Sequence, residues 1–538
     1  MRVPKYLVIT LAATAVLALS STAYGASCTA GSVDGPAPAT PMCFGSMFPS
    51  LPAFHFSDQA AADLVGTMQA GTTDPPGVDR GTADDSPTLP SEYTYLGQFI
   101  DHNLDFDETP QPTAAVAAAS LTNYESFRFD LNDIFGGGPS VDPELYAADG
   151  KHLLIQGTLG TPNADGFPDV SNGNPNGVFD LARNPLTGEA DLVEPRDDEN
   201  QILSQITAAF IAFYNDFVNQ GDSYWQARQL TEDYYQEIVL TDLLPAYVGH
   251  AEIGKYLQFS HGHYHVTTPN FPNASYTPIE FSVGAYRFGH SLVRERYHIN
   301  DIDPLTTDLD DNVAIFDLNH FQTGDLSGGS QLPGPTRLSN PDCTTLSTCT
   351  QPDPAGHQIQ WKYFVPALNA DPNDPGINFA RKTQTTISPA LFNLPAETIA
   401  GCTDAADPVC NGSGDLLSRD IARGNYDGLA SGQAIASAMN CPVIPAAAIN
   451  PTHDAVFNQG TPLLYYVLAE AQRAHTTLGC VGAGIVAQTF IRVLWDTPNS
   501  ILHNGFTPDP ALVRIRPESP AFSFGDLLID TDLAPRTS

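Results

Sequence analysis

Between Leu203 and Val218 the chain reads LSQITAAFIAFYNDFV, apolar nearly all round instead of along one stripe. That pattern predicts a helix buried inside a large body. Periods near 3.6 predict further helices over Tyr234–Tyr247, Pro278–Glu295, Gln433–Met439, Thr461–His475 and Val481–Trp495. Between them run Pro-, Gly- and Asp-rich loops at 105–120, 136–195, 300–340 and 341–358. HGHYH at 261–265 alternates His with Gly and Tyr, as an exposed strand or hairpin would. Residues 27–90 are rich in Pro, Gly, Ala and Thr, lack strong periodicity and read as an extended arm or wrapped N-terminal segment. The expectation is a mainly α protein with long loops and little β structure, organised as one large domain over 91–538.

The first 26 residues stand apart. Arg2 and Lys5 precede an apolar run from Tyr6 to Leu19, and STAYGAS then offers small residues for cleavage. This is the pattern of an export signal, and the run is too short for a comfortable membrane span. No later segment reads as transmembrane, so a secreted or periplasmic protein is expected. Eight cysteines, an even number, fit an oxidising compartment, and short spacings suggest local pairs 28–43, 343–349 and 402–410. With 42% hydrophobic residues over 538, the chain can bury a substantial core. Its formal charge of −38, from 61 acids against 23 bases, opposes nucleic-acid and anionic-membrane partners. No GxGxxG or GxxxxGK[ST] element supports a nucleotide fold.

Candidate chemistry begins at YLGQFIDHNLDF, residues 95–106. As a helix it places Gln98, Asp101, His102 and Asp105 on one face, opposite Leu96, Phe99 and Ile100. Spacing alone is equally that of a half-buried helix with capped polar groups. A second element is AYRFGHSLVRER at 285–296, where Gly289 beside His290 lets something large approach the backbone. His290 could ligate a metal or a planar cofactor, or be a core histidine bonded to a carbonyl. EPRDDENQILSQ at 194–205 sets Arg196 and Glu199 one turn apart, and SRDIARGNYDGLASGQ at 418–433 sets Asp420 and Arg423 before a Gly-punctuated turn.

Taken together, in this order, these segments resemble the animal-type haem peroxidases, above all their bacterial secreted members. NYESFRFDLNDIFGGGP at 123–139 is similar to the family's calcium loop, and LGCVGAGIVAQTFIRVL to a later block, so the resemblance runs from about 91 to 505. It implies a haem peroxidase that reduces hydrogen peroxide and oxidises phenols, halides or pseudohalides through a ferryl intermediate. By the same resemblance His102 is the catalytic base and Arg196 stabilises charge on the departing oxygen. Gln98 orients a water or small anion, and His290 is the iron ligand. Asp420 stands where the family usually has Asn, and a carboxylate there gives the ligating imidazole more imidazolate character. The cofactor implied is haem b, with Asp101 and Glu199 matching carboxylates that form haem esters in mammalian members. The calcium ligands implied are Asn103, Ser126, the Arg128 carbonyl, Asp130 and Asn132, with Asn103 replacing the family's Asp.

Two other readings share the resemblance. A fatty-acid dioxygenase of the same superfamily needs a Tyr three residues before the iron ligand, where this chain has Arg287. A non-catalytic matrix or adhesion protein would have no need to keep His102, Arg196 and His290 together.

Overall fold

The computed structural model describes residues 42–69, 84–107, 114–157, 179–182, 190–271, 275–299, 312–314, 359–392, 394, 414–531 and 533. The export-signal reading and the pairs 343–349 and 402–410 lie outside them. The described residues are mainly helical, and their strands pair only two at a time. Helices carry most of the buried residues, joined by loop residues such as Phe127, Phe129 and Phe522.

The all-apolar run is helix α3 (Gln201–Gln220), with every residue from Gln201 to Ile211 buried. Asn200 caps it by accepting from the Leu203 N–H at 3.0 Å, and Gly221 ends it at φ 108°, a left-handed conformation that suits glycine. Its Phe210 ring stacks on Phe99 of α2 (Glu92–His102) at 5.1 Å and 5°. The buried flank of α2 is thereby fixed against the core while Gln98, Asp101 and His102 are left for other work.

Several elements differ from their expected form. The helix expected over 234–247 starts at Tyr224 as α4 (Tyr224–Ile238) and opens into a π turn at Val239–Leu243 before a further helical stretch, Leu244–Val248. Pro245 lacks the N–H that would continue an α ladder, which suits a widened turn just ahead of it. The stretch expected as one helix over 278–295 is a π-helical turn, Glu280–Ala285, followed by a tighter 3₁₀ segment, Tyr286–Leu292. The arm is not wholly extended, because α1 (Asp58–Met68) buries Ala60, Leu64, Val65 and Met68 as one stripe, with Ser57 as cap. Helices α5 (Leu416–Tyr426), α6 (Gly432–Ala438), α7 (Leu463–Ala474) and α8 (Cys480–Asp496) complete the far side. A disulfide joins Cys441 to Cys480, closing 39 residues of chain, and Cys43 is disulfide-bonded as well.

The arm grips the core. Strand β1 (Met42–Cys43) pairs antiparallel with β2 (Thr122–Asn123). The buried Glu280 carboxylate accepts from the Ser46 hydroxyl at 2.6 Å and the Met47 N–H at 2.9 Å. Further along, the Asn425 side chain accepts from the Phe56 N–H and donates to the Phe56 carbonyl. One short segment therefore ties the 280–292 turns to α5.

Candidate active site

A cavity of about 240 Å³ opens between α2, the turn 195–200, the segment 280–292 and α5. It brings together Gln98, Asp101, His102, Arg196, Glu199 and His290, six residues drawn from three separate stretches. Helix α2 ends at His102, so Asn103 and Asp105 lie past its terminus and not on its polar face.

His102 is buried, and its Nδ1 lies 2.8 Å from Asp197 Oδ1, which leaves Nε2 for the cavity. Burial and the cations Arg196 and Arg287 hold the imidazole well below its ordinary range, so it is neutral at pH 7. Arg196 is fixed rather than loose. Its Nε and Nη2 donate to the two Glu194 oxygens at 2.9 and 2.8 Å, Nη2 also donates to the Asp105 carbonyl at 2.9 Å, and the guanidinium lies 4.4 Å from the Phe106 ring centre. Gln98 spends its amide within the site, donating to Glu199 Oε2 at 2.9 Å and accepting from Asn200 at 3.3 Å.

On the opposite wall, Nδ1 of His290 lies 2.7 Å from Asp420 Oδ2. An imidazole that donates through Nδ1 to a carboxylate presents an unprotonated Nε2, the arrangement typical of a metal-ligating histidine. A Cβ built on Gly289 would meet no atom within 4 Å, so the chain leaves open space beside the ring. Asp101 has a buried Oδ1 without a hydrogen-bond partner, and burial raises its pKa against the pull of Arg287 and Arg196. Burial likewise raises Glu199 to about 7. An open face at Gly289, a free imidazole nitrogen and an orphaned carboxylate oxygen suit a planar iron cofactor.

The loop after α2 gathers Ser126, Arg128, Asp130 and Asn132 with Asn103. Ser126 Oγ donates to Asp130 at 3.2 Å. Asn103 offers the loop a nitrogen, donating to Asn132 at 2.9 Å and Asp133 at 3.2 Å, while its oxygen accepts from Tyr235 at 3.3 Å. A nitrogen donor cannot ligate calcium. The buried Asp133 Oδ2 has no partner, and burial with repulsion from Glu125 and Asp130 pushes Asp133 far up. Glu125, Glu194 and Asp197 were not legible as members of this site. The acid-rich EPRDDEN was the one signal for two of them. HGHYH forms the hairpin β3 (Leu257–Ser260) and β4 (His263–Val266), and among the described residues no group of three His, Cys, Asp or Glu could hold a metal.

Residues 205–329 match the animal haem peroxidase family model. The fold is similar to peroxidase A from Dictyostelium discoideum, at 14% identity and TM-score 0.53, covering 94% of this chain and 98% of that one. It is also similar to fatty acid alpha-dioxygenase from Arabidopsis thaliana, at 14% identity and TM-score 0.50, covering 91% and 78%. A palmitic acid complex of the Oryza sativa fatty acid alpha-dioxygenase gives 14% identity, TM-score 0.53 and coverage of 86% and 76%. No curated protein matches the chain in sequence. The animal haem peroxidase model thus matches the middle of the chain, and the fold of the whole is similar to that of a peroxidase and of fatty acid alpha-dioxygenases.

Proposed function

We propose that the protein is an exported haem peroxidase, reducing hydrogen peroxide at the expense of a small phenolic, halide or pseudohalide donor. The observation that carries this reading is the pair of opposed histidines on one cavity, each oriented through Nδ1 by its own carboxylate. Haem held by His290, with Asp101 and Glu199 at its edge, would supply the iron and the electrons for cleaving the peroxide bond. Burial and repulsion from Asp133 and Glu194 push Asp197 well up, and once it is ionised His102 donates Nδ1–H to it and offers Nε2 as base. That nitrogen takes the proton from one peroxide oxygen and delivers it to the other, which leaves as water. Arg196, held by Glu194 and the Asp105 carbonyl, keeps positive charge beside the leaving oxygen.

Calcium would be held by Ser126, the Arg128 carbonyl, Asp130 and Asn132, with Asp133 supplying the oxygen that Asn103 does not. A cation there offsets the repulsion among Glu125, Asp130, Asp133, Glu194 and Asp197. The Cys441–Cys480 disulfide supports an oxidising, extracytoplasmic compartment. The dioxygenase reading draws support from fold likeness, but Arg287 occupies the position where that chemistry requires Tyr, and its guanidinium lines the cavity.

The test is His102→Ala in the haem-loaded protein. Removing a positioned base should slow reaction with peroxide by at least ~10²-fold, while the Soret band shows haem still bound. An unchanged rate removes His102 from the mechanism.

A further inference from the structure

A second cavity, about 380 Å³, lies at the opposite end of α2 from His102. Glu92 in the first turn and His102 in the last are ten residues apart, about 15 Å along the helix axis. Two acids line this cavity. Asp242 is satisfied, since Oδ1 accepts from the Tyr93 hydroxyl at 2.8 Å and Oδ2 from the Phe524 N–H at 3.0 Å. Glu92 is not. It is only 5% exposed, and its Oε2 is buried with no hydrogen-bond partner.

A buried carboxylate oxygen left unpaired costs several kcal/mol and calls for an explanation. Burial, and for Glu92 the nearby Asp242, pushes both acids up, while the solvent-exposed Arg516, which also lines the cavity, pulls them partly back through space. No ion pair among the described residues joins it to Glu92. The lining also includes apolar surface from Pro245, Val365 and Pro366 beside polar Thr241, His250 and Ser523. One small space therefore holds a buried carboxyl group with an unpaired oxygen, an exposed guanidinium and apolar surface.

We propose that this cavity binds a small zwitterion of the amino-acid class. Its ammonium group donates to Glu92, its carboxylate meets Arg516, and an apolar side chain packs on Pro245, Val365 and Pro366. A cation alone would leave Arg516 unused, and an anion alone would leave Glu92 unpaired. Nothing in this proposal depends on the haem reading, because the site shares no residue with the first cavity.

Titration calorimetry of the haem-loaded full chain tests it, with L-leucine as probe and 3-methylbutylamine and 4-methylpentanoate as its one-charge analogues. L-leucine should bind, each analogue at least tenfold more weakly. Glu92→Gln and Arg516→Gln should each weaken L-leucine at least tenfold. Arg516 is exposed, so its variant keeps the fold even if the buried Glu92 variant does not. Ala367→Phe, which fills the cavity without touching either charge, should abolish binding with an unchanged Soret band. No L-leucine binding at millimolar concentration, equal binding of the amine analogue, or binding that survives both Arg516→Gln and Ala367→Phe would overturn the assignment.

Discussion

Asp101 and Glu199 are two carboxylates on this cavity with little competing hydrogen bonding. One Asp101 oxygen has no partner, and Glu199 holds only the Gln98 amide at 2.9 Å while burial raises it to about 7. His102, Arg196 and His290 are each held by two atoms or by a carboxylate, so they are pre-positioned in a way these two acids are not. Carboxyl groups free of competing partners are available to the edge of a bound macrocycle. The expected outcome is that acid–organic extraction leaves haem on the polypeptide, and that Asp101→Asn with Glu199→Gln releases it. Haem that leaves the unaltered protein freely would refute ester links through these residues.

Among elements, the Cys441–Cys480 bond ties the chain just after α6 to the first residue of α8, whose buried face contains Val481, Ile485, Phe490 and Leu494. Replacing both cysteines by Ser should lower stability by about 2–4 kcal/mol, because a loop of this length is released in the unfolded chain. Urea unfolding would show it as a lower midpoint at unchanged slope. That bond was not legible in the sequence, since 39 residues separate its ends with no local signal. The helices α3, α7 and α8 were legible, because their apolar patterns are long and unbroken. Helix α1 was missed, its short stripe of Ala60, Leu64, Val65 and Met68 masked by Pro- and Gly-rich flanks. The π and 3₁₀ form of 280–292 was hidden too, since side-chain pattern alone does not distinguish a widened turn from an α turn. At the site, resemblance placed His102, Arg196 and His290, but among the neighbouring acids of EPRDDEN only packing decides that Asp197 meets His102 and Glu194 meets Arg196.

At the scale of the whole molecule, the interior is unusually acidic. Burial raises Asp105, Glu125, Glu199, Glu232, Glu237 and Asp427 each to about 7. A carboxyl whose folded constant lies above its unfolded one keeps its proton in the folded state and loses it first in the unfolded state as pH rises. Its stabilising share is full below about pH 4 and is lost as pH climbs through 7. Repulsion within a chain of net charge −38 acts in the same direction. With haem and divalent cations removed, the protein should therefore be more stable at pH 5 than at pH 7.5. Calcium should restore part of the loss, by stabilising the folded form that binds it. Equal unfolding midpoints at the two pH values, with and without chelator, would contradict this.

The arm that grips Glu280 and Asn425 has a consequence in time. The Ser46 and Met47 contacts to Glu280 span 234 and 233 positions, and the Phe56 contacts to Asn425 span 369. At roughly 5–20 residues per second, the ribosome needs about 20 to 70 s after making Phe56 before its partner exists. During that interval the Phe56 stretch of the arm has nothing to dock on, and the 280–292 turns are not yet joined to α5. Assembly of the wall that sets Asp420 against His290 is thus timed by the late arrival of α5.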